Sequence, residues 1–215
     1  AARHHGLRSA IRIKPPSDRS APLMTPTQFV EGPYIGTFAK YEGLLDLCIA
    51  ATQLRKARSD FKVLLVGDGP VFSEVQAYCK AHDDSGCIIL RERVPFADVP
   101  RYYSLIDIAV FPRTPNEITE MVSPLKPFEA MAMGKPVIGS DVEAIAEIIQ
   151  HDRTGWLFEK GNVAALKDVL ETSIDRRSDL PGLGRTAREF VAEHHDWRVI
   201  ARRIADGWTK LRPAQ

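Results

Sequence analysis

From residue 34 onward the chain alternates between short, unbroken apolar runs and longer segments whose apolar residues recur at helical spacing. Residues 34–38 read as a first strand, closed by the loop AKYEG. Leu44, Leu45, Leu47, Cys48, Ala51 and Leu54 then share one helical face. A second strand at 62–66 (KVLLV) stops at the turn Gly67-Asp68-Gly69-Pro70, and a helix follows over 72–81. The third strand is 87–90, a short helix covers 99–105, and the fourth strand is 106–111 (IDIAVF). A long polar loop, 112–123, leads into a helix that carries Glu129. The fifth strand is 136–139, a helix follows at 144–149, and the sixth strand is 156–158. Helices at 163–174, 185–193 and 197–211 complete the pattern.

Strands that are apolar on both faces need cover on both sides, and the amphipathic helices between them supply it. The expected fold class is α/β, a doubly wound, Rossmann-like parallel sheet of six strands in the order 3-2-1-4-5-6. In that order the first and fourth strands are neighbours and the winding reverses between them. Ligands of such folds bind in the crevice at the carboxyl ends of the strands at that reversal. The loops 39–43 and 112–126 bound it. Residues 1–31 carry several prolines, scattered basic residues and weak periodicity. They read as a linker or the remnant of an upstream domain, with 10–13 as a candidate short strand. Residues 32–215 read as the globular domain.

Composition narrows the function classes more than the fold. Hydrophobic residues at 44% and charged residues at 27% describe an ordinary globular protein. A formal net charge of +1 gives no electrostatic reason to expect a nucleic acid or an anionic membrane as partner. Cys48, Cys79 and Cys87 are odd in number and lie in apolar segments, which fits reduced thiols in a cytosolic protein. No cysteine pair has metal-ligand spacing, and His194-His195 has no cysteine nearby, so no metal is expected. The sequence contains neither a signal-peptide pattern nor an apolar run long enough to cross a bilayer. The expected location is cytoplasmic, with any contact at the inner membrane peripheral.

The densest chemistry lies in SPLKPFEAMAMGKPVIGSD, residues 123–141. A strand-to-helix loop that ends in Lys126 and Glu129 offers a cation, free backbone amides and a carboxylate within one helical turn. Those groups can hold a nucleotide diphosphate by its phosphates and its ribose. The same residues also suit a plain βαβ unit, with Pro127 at the helix start and Glu129 favoured by the first-turn dipole. Placement at the winding reversal favours the ligand.

Other motifs weigh less. Gly67-Asp68-Gly69 is not a dinucleotide fingerprint, because position 72 is Phe and the turn follows the second strand. No GxxxxGK[ST] phosphate loop occurs, and no two aspartates are spaced Asp-x-Asp. The latter argues against a transferase that holds manganese on the diphosphate. Gly36-Thr37 and Gly43 frame the first loop, where a glycine lets a phosphate approach the backbone, or where a plain turn forms. Arg93-Val94-Pro95 lies across the same crevice and reads either as a base-contacting backbone or as a loop. Tyr102, Tyr103, Trp197 and Trp208 are explained by packing.

The runs YIGTFAKYEGL, VGDGP, RVPFADVPRYYSLIDIAVFPR, TEMVSPLKPFEAMAMGKPVIGSD and TGWLF together resemble one kind of domain. It is the C-terminal, donor-binding half of GT-B-fold retaining glycosyltransferases, the glycogen-synthase-like family four (glycosyl transferases group 1). The resemblance covers residues 32–211, and SPLKPFEAMAMGKPV is its most specific part. It implies a nucleotide-diphosphate sugar as substrate, with no further cofactor and no metal. Glu129 would hold the ribose hydroxyls. Amides around Leu125 and Lys126 would hold the diphosphate, assisted by Ser123 and Lys126. Gly36 and Thr37 would face the distal phosphate, and Arg93 and Val94 the base. Glu120 and Lys126 are the implied catalytic residues: Lys126 stabilises the charge on the leaving diphosphate, and Glu120 takes the role of a carboxylate that accepts from sugar hydroxyls.

The sequence departs from the family in several places. The first of the family's two glutamates would fall at Met121, with Glu120 beside it. The usual arginine and lysine of the first loop are replaced by Thr37 and Glu42, leaving Lys126 and Arg113 as candidate substitutes. Glu143 and Ala144 stand where glycines are common. The family's acceptor-binding N-terminal domain is not in this sequence, so it is expected in the same or another polypeptide. The alternative is a non-catalytic nucleotide-binding or interaction module; a GT-B-like epimerase fits PLKPFEAMA less well.

Overall fold

A computed structural model describes residues 29–211, with side chains from 34 to 208. The candidate strand at 10–13 and most of the expected linker lie outside the described residues. The chain alternates β1 (Phe29–Thr37), α1 (Leu44–Arg55), β2 (Phe61–Asp68), α2 (Phe72–His82), β3 (Ile88–Arg91), α3 (Val99–Ser104) and β4 (Ala109–Phe111). There follow α4 (Glu117–Met121), α5 (Lys126–Ala132), β5 (Val137–Ser140), α6 (Glu143–Ala146) and β6 (Gly155–Phe158). Helices α7 (Val163–Asp175), α8 (Leu180–His194) and α9 (Trp197–Leu211) end the described chain.

All pairings between these strands are parallel, in ladders β1-β2-β3 and β4-β5-β6, and β1 packs beside β4. The spatial order is therefore 3-2-1-4-5-6, as the apolar pattern predicts. One refinement is needed: the six strands form two three-stranded ladders rather than one continuous one. Strand β4 is only three residues long and turns its amide at Ala109 to the carbonyl of Pro136, next to β5. Beyond the strand ends, the Thr114 amide donates to the Tyr41 carbonyl at 2.9 Å and fastens the two halves across the reversal.

Burial explains why the strands read as continuous apolar runs. Phe61, Val63, Leu64, Leu65 and Val66 of β2 are all buried, so both faces of the strand are covered. Helix α1 packs on α2 and α7, and α5 packs on α8.

Three elements differ most from the sequence reading, beyond the fourth strand, which starts at Ala109 rather than 106, and α6, which ends at Ala146 rather than 149. Strand β1 begins five residues earlier than expected, at Phe29, with a register shift between Glu31 and Tyr34. That shift spans Gly32-Pro33, where proline has no amide to give to a ladder. Within the loop 112–123 lies α4, fixed by a capping box: Asn116 Oδ1 accepts from the amides of Ile118 (2.9 Å) and Thr119 (3.1 Å), and Thr119 Oγ1 accepts from the Asn116 amide (3.0 Å). Helix α8 starts at Leu180, not 185. Pro181 suits its first turn, and Gly184 lets it press on the carbonyl of Gly134, where any Cβ would collide.

Candidate active site

The carboxyl ends of β1 and β2, the segment after β3 and the first turn of α5 enclose a cleft of about 400 Å³, within the range of small-ligand sites. Gly36, Thr37, Gly67 and Asp68 form its floor, Arg93 to Phe96 one wall, and Lys126 and Glu129 the other.

The Gly36 end is shaped by close approach. Gly36 has φ +156°, and a Cβ there would lie 2.5 Å from Cε of Lys126. The lysine stem therefore lies directly on backbone that has no side chain. Its ammonium donates to Glu42 Oε1 at 3.2 Å and to the Tyr34 hydroxyl, and sits 4.2 Å from the centre of the Tyr34 ring. The Tyr34 hydroxyl in turn donates to the Thr37 carbonyl at 2.8 Å. Burial lowers the basicity of Lys126, and Glu42 opposes that effect. The Tyr34 hydroxyl is pushed far up by burial and by Glu42, so it stays a neutral donor.

Glu42 is itself buried and is shared. Its other oxygen lies 3.8 Å from Nε of Arg113, whose side chain is also buried. An Arg113 terminal nitrogen donates to the Val122 carbonyl at 3.0 Å, its guanidinium lies 5.4 Å from the Tyr41 ring centre, and its carbonyl accepts from Ser140 Oγ at 2.7 Å. These contacts tie the loops after β1 and β4 to the end of β5.

Glu129 is half-buried one turn into α5. Among the described residues no hydrogen bond reaches its carboxylate. Burial raises its pKa above the ordinary glutamate range, and Lys126 partly offsets this. A desolvated carboxylate without a hydrogen-bonding partner is an acceptor awaiting a donor, such as a pair of hydroxyls. Across the cleft Arg93 faces Asp68 at 3.8 Å, both well exposed.

The cleft brings together Gly36, Thr37, Arg93, Val94, Lys126 and Glu129 of the residues picked out in the sequence. Ser123, Leu125 and Glu120 do not line it. Leu125 is the residue preceding α5 and is 67% exposed. Glu120 points to α6: one oxygen takes the Lys160 ammonium at 2.7 Å, and the other accepts the Glu143 amide at 2.8 Å. The Lys160 bond, and then that amide, hold the Glu120 carboxyl below its ordinary range. Met121 beside it is 83% exposed. Asp68 joins the site from the Gly67-Asp68-Gly69 turn, while Phe96 and the Tyr34 hydroxyl belong to the site or its support and carry no local signal in the sequence that marks them out.

A sequence model described as glycosyl transferases group 1 matches residues 33–176. The chain belongs to that family. AmsK, an amylovoran biosynthesis glycosyltransferase of Erwinia amylovora, is 26% identical over 164 residues, which is 75% of this chain and 40% of that protein. The C-terminal domain of LpcC, a group 1 family protein from Francisella tularensis, matches with TM-score 0.67 at 21% identity, covering 79% of this chain and 87% of that one. Anabaena HepE, solved in complex with UDP, matches with TM-score 0.71 at 21% identity over 86% of this chain and 50% of that one. The fold is thus that of the C-terminal half of a GT-B glycosyltransferase. The chain spans less than half the length of the curated relatives it matches. Among the described residues no helix is long and apolar enough to cross a membrane.

Proposed function

We propose that this chain is the donor-binding half of a retaining glycosyltransferase that moves a sugar from a nucleotide-diphosphate sugar to an acceptor held by an N-terminal domain in the same or another polypeptide. The observation that carries the reading is the pairing of Lys126 with Glu129 in one cleft, on the first turn of a helix at the carboxyl ends of β1 and β2. The base lies along Arg93 and Val94, and the ribose hydroxyls donate to the Glu129 carboxylate. The diphosphate runs toward Gly36 and Thr37, where Lys126 receives it, with the amides near Leu125 and the Ser123 hydroxyl assisting. The HepE complex supports a uridine nucleotide as the first to test, with GDP as the alternative.

In the transfer step the bond from the sugar to the diphosphate breaks, and negative charge develops on the leaving phosphate oxygen. The ammonium of Lys126 stabilises that charge without a metal ion. The acceptor hydroxyl attacks on the same face and gives up its proton to the departing phosphate. Glu120 serves the sugar end once it exchanges Lys160 for a sugar hydroxyl.

That exchange also defines a second reading, a nucleotide-binding module without catalysis, favoured by the engagement of both Glu120 oxygens. Supplying an acceptor-binding domain and following donor-dependent transfer by NMR separates the two. An α-linked product from an α-linked donor supports the transferase; an inverted product excludes retention. Binding without transfer for any donor supports the module.

A further inference from the structure

Glu42 stands in the loop after β1, where the sequence resemblance suggests only a lost cation. Its side chain is 7% exposed, with Lys126 Nζ at 3.2 Å and Arg113 Nε at 3.8 Å. A carboxylate kept this far from water needs cations or hydrogen-bond donors against it. The contact with Arg113 is one of charge alone, because 3.8 Å is too long for a hydrogen bond and that buried Nε has no hydrogen-bond partner. Of the two cations, Lys126 is therefore the one hydrogen-bonded to Glu42, across the sheet reversal.

The groups facing the Lys126 ammonium come from every side. Tyr34 reaches it from β1, Glu42 from the turn after β1, Arg113 from the loop after β4 and Glu129 from α5 itself. Asp68 and Arg93 stand across the cleft. Burial and Arg113 favour loss of the lysine proton; Glu42 and Glu129 oppose it, and only Glu42 does so through a hydrogen bond.

We propose that Glu42 is the positioning residue of the donor site, holding Lys126 protonated and laid over Gly36, where a diphosphate takes it over. The inference rests on the cleft being the donor site. On that reading the acidic residue does not weaken the phosphate end; it keeps a lysine, supplied from α5, charged in a desolvated place.

Two readouts test this. Lysines labelled with 13C at Cε are titrated without nucleotide, with Lys126 assigned from Lys126→Met, in wild type, Glu42→Gln and Glu42→Asp. The Lys126 midpoint is expected to fall in the Gln variant. The Asp variant keeps the charge but withdraws it by a methylene, so its midpoint lies between the other two. UDP affinity is then measured from about pH 7 to about pH 9.5, below the ordinary lysine range. The Gln variant is expected to lose about tenfold more affinity over that span than wild type, and Lys126→Met to be weak and flat throughout. Where the Gln variant does not fold, the Asp variant decides, and wild-type values in both readouts count against the proposal. An unchanged or higher Lys126 midpoint in the Gln variant, or tighter UDP binding at every pH, overturns it. If Lys126→Met binds UDP as wild type does, the donor-site role of Lys126 fails instead, while the carbon titration still decides what Glu42 does.

Discussion

A Cβ on Gly36 would lie 2.5 Å from Cε of Lys126, so the end of β1 and the first turn of α5 meet through a glycine backbone and a lysine stem. Gly36→Ala must push the lysine aside and also strain a backbone at φ +156°. The expected result is a stability loss of about 1–3 kcal/mol in urea denaturation. UDP affinity is expected to fall by about tenfold by calorimetry, because the displaced ammonium no longer meets the phosphate.

Glu129 gives a prediction with opposite signs for stability and binding. Its folded-state pKa is raised by burial, above its value in the unfolded chain. Such a group favours folding at pH below the unfolded pKa and loses that contribution as pH rises through the folded one. At neutral pH the ionised carboxylate is therefore a net cost to the fold. Glu129→Gln is expected to raise Tm at pH 7.5, with the difference narrowing toward about pH 4.5, near the ordinary glutamate range. The same variant is expected to weaken UDP by about tenfold, since an amide is a poorer acceptor for two hydroxyls. A lowered Tm at neutral pH with unchanged affinity contradicts both halves.

Glu120 tests the sugar end separately from the nucleotide end. It lies outside the cleft lining and is bonded to Lys160 and the Glu143 amide. Glu120→Gln is expected to leave UDP affinity within about twofold. It should weaken a UDP-sugar by about tenfold or more, roughly the worth of one charged hydrogen bond. Equal effects on both ligands in an NMR titration would remove Glu120 from the sugar end.

Two glycine-to-alanine changes within helices should move stability in opposite directions. At Gly207 in α9 a methyl group would enter open space, with nothing within 4 Å. Alanine there is expected to stabilise by about 0.5–1 kcal/mol through helix propensity. At Gly184 the new methyl meets the Gly134 carbonyl and lies 3.3 Å from Cδ of Pro136. Alanine there is expected to cost about 1–3 kcal/mol despite its better propensity, as an overpacked contact does. Urea midpoints of the two variants check the pair.

The strand order and the cleft were legible because they follow from local patterns. Runs such as KVLLV announce a strand covered on both faces, and SPLKPFE places a cation and a carboxylate on one helical turn. Helix α4 was hidden because its five residues, EITEM, are too few to show a helical period and its two apolar side chains, Ile118 and Met121, stay exposed, although Asn116 and Thr119 spell out its capping box. The start of α8 was hidden because Gly184 reads as a breaker until Gly134 is seen against it. The partnership of Glu42 with Lys126 had no local signal at all: 84 positions separate them, and only the packing of the two halves of the sheet joins them. Glu120 likewise meets Lys160 across 40 positions, through the return of the chain after β6.

The most direct measurement is a calorimetric titration of UDP and GDP into wild type, Lys126→Ala and Glu129→Ala. The donor-site assignment predicts that at least one nucleotide binds wild type at millimolar concentration or below, and that each substitution weakens it by about tenfold or more while the far-UV spectrum is unchanged. No binding of either nucleotide to wild type at millimolar concentration, or binding that both alanine variants retain in full, would contradict it.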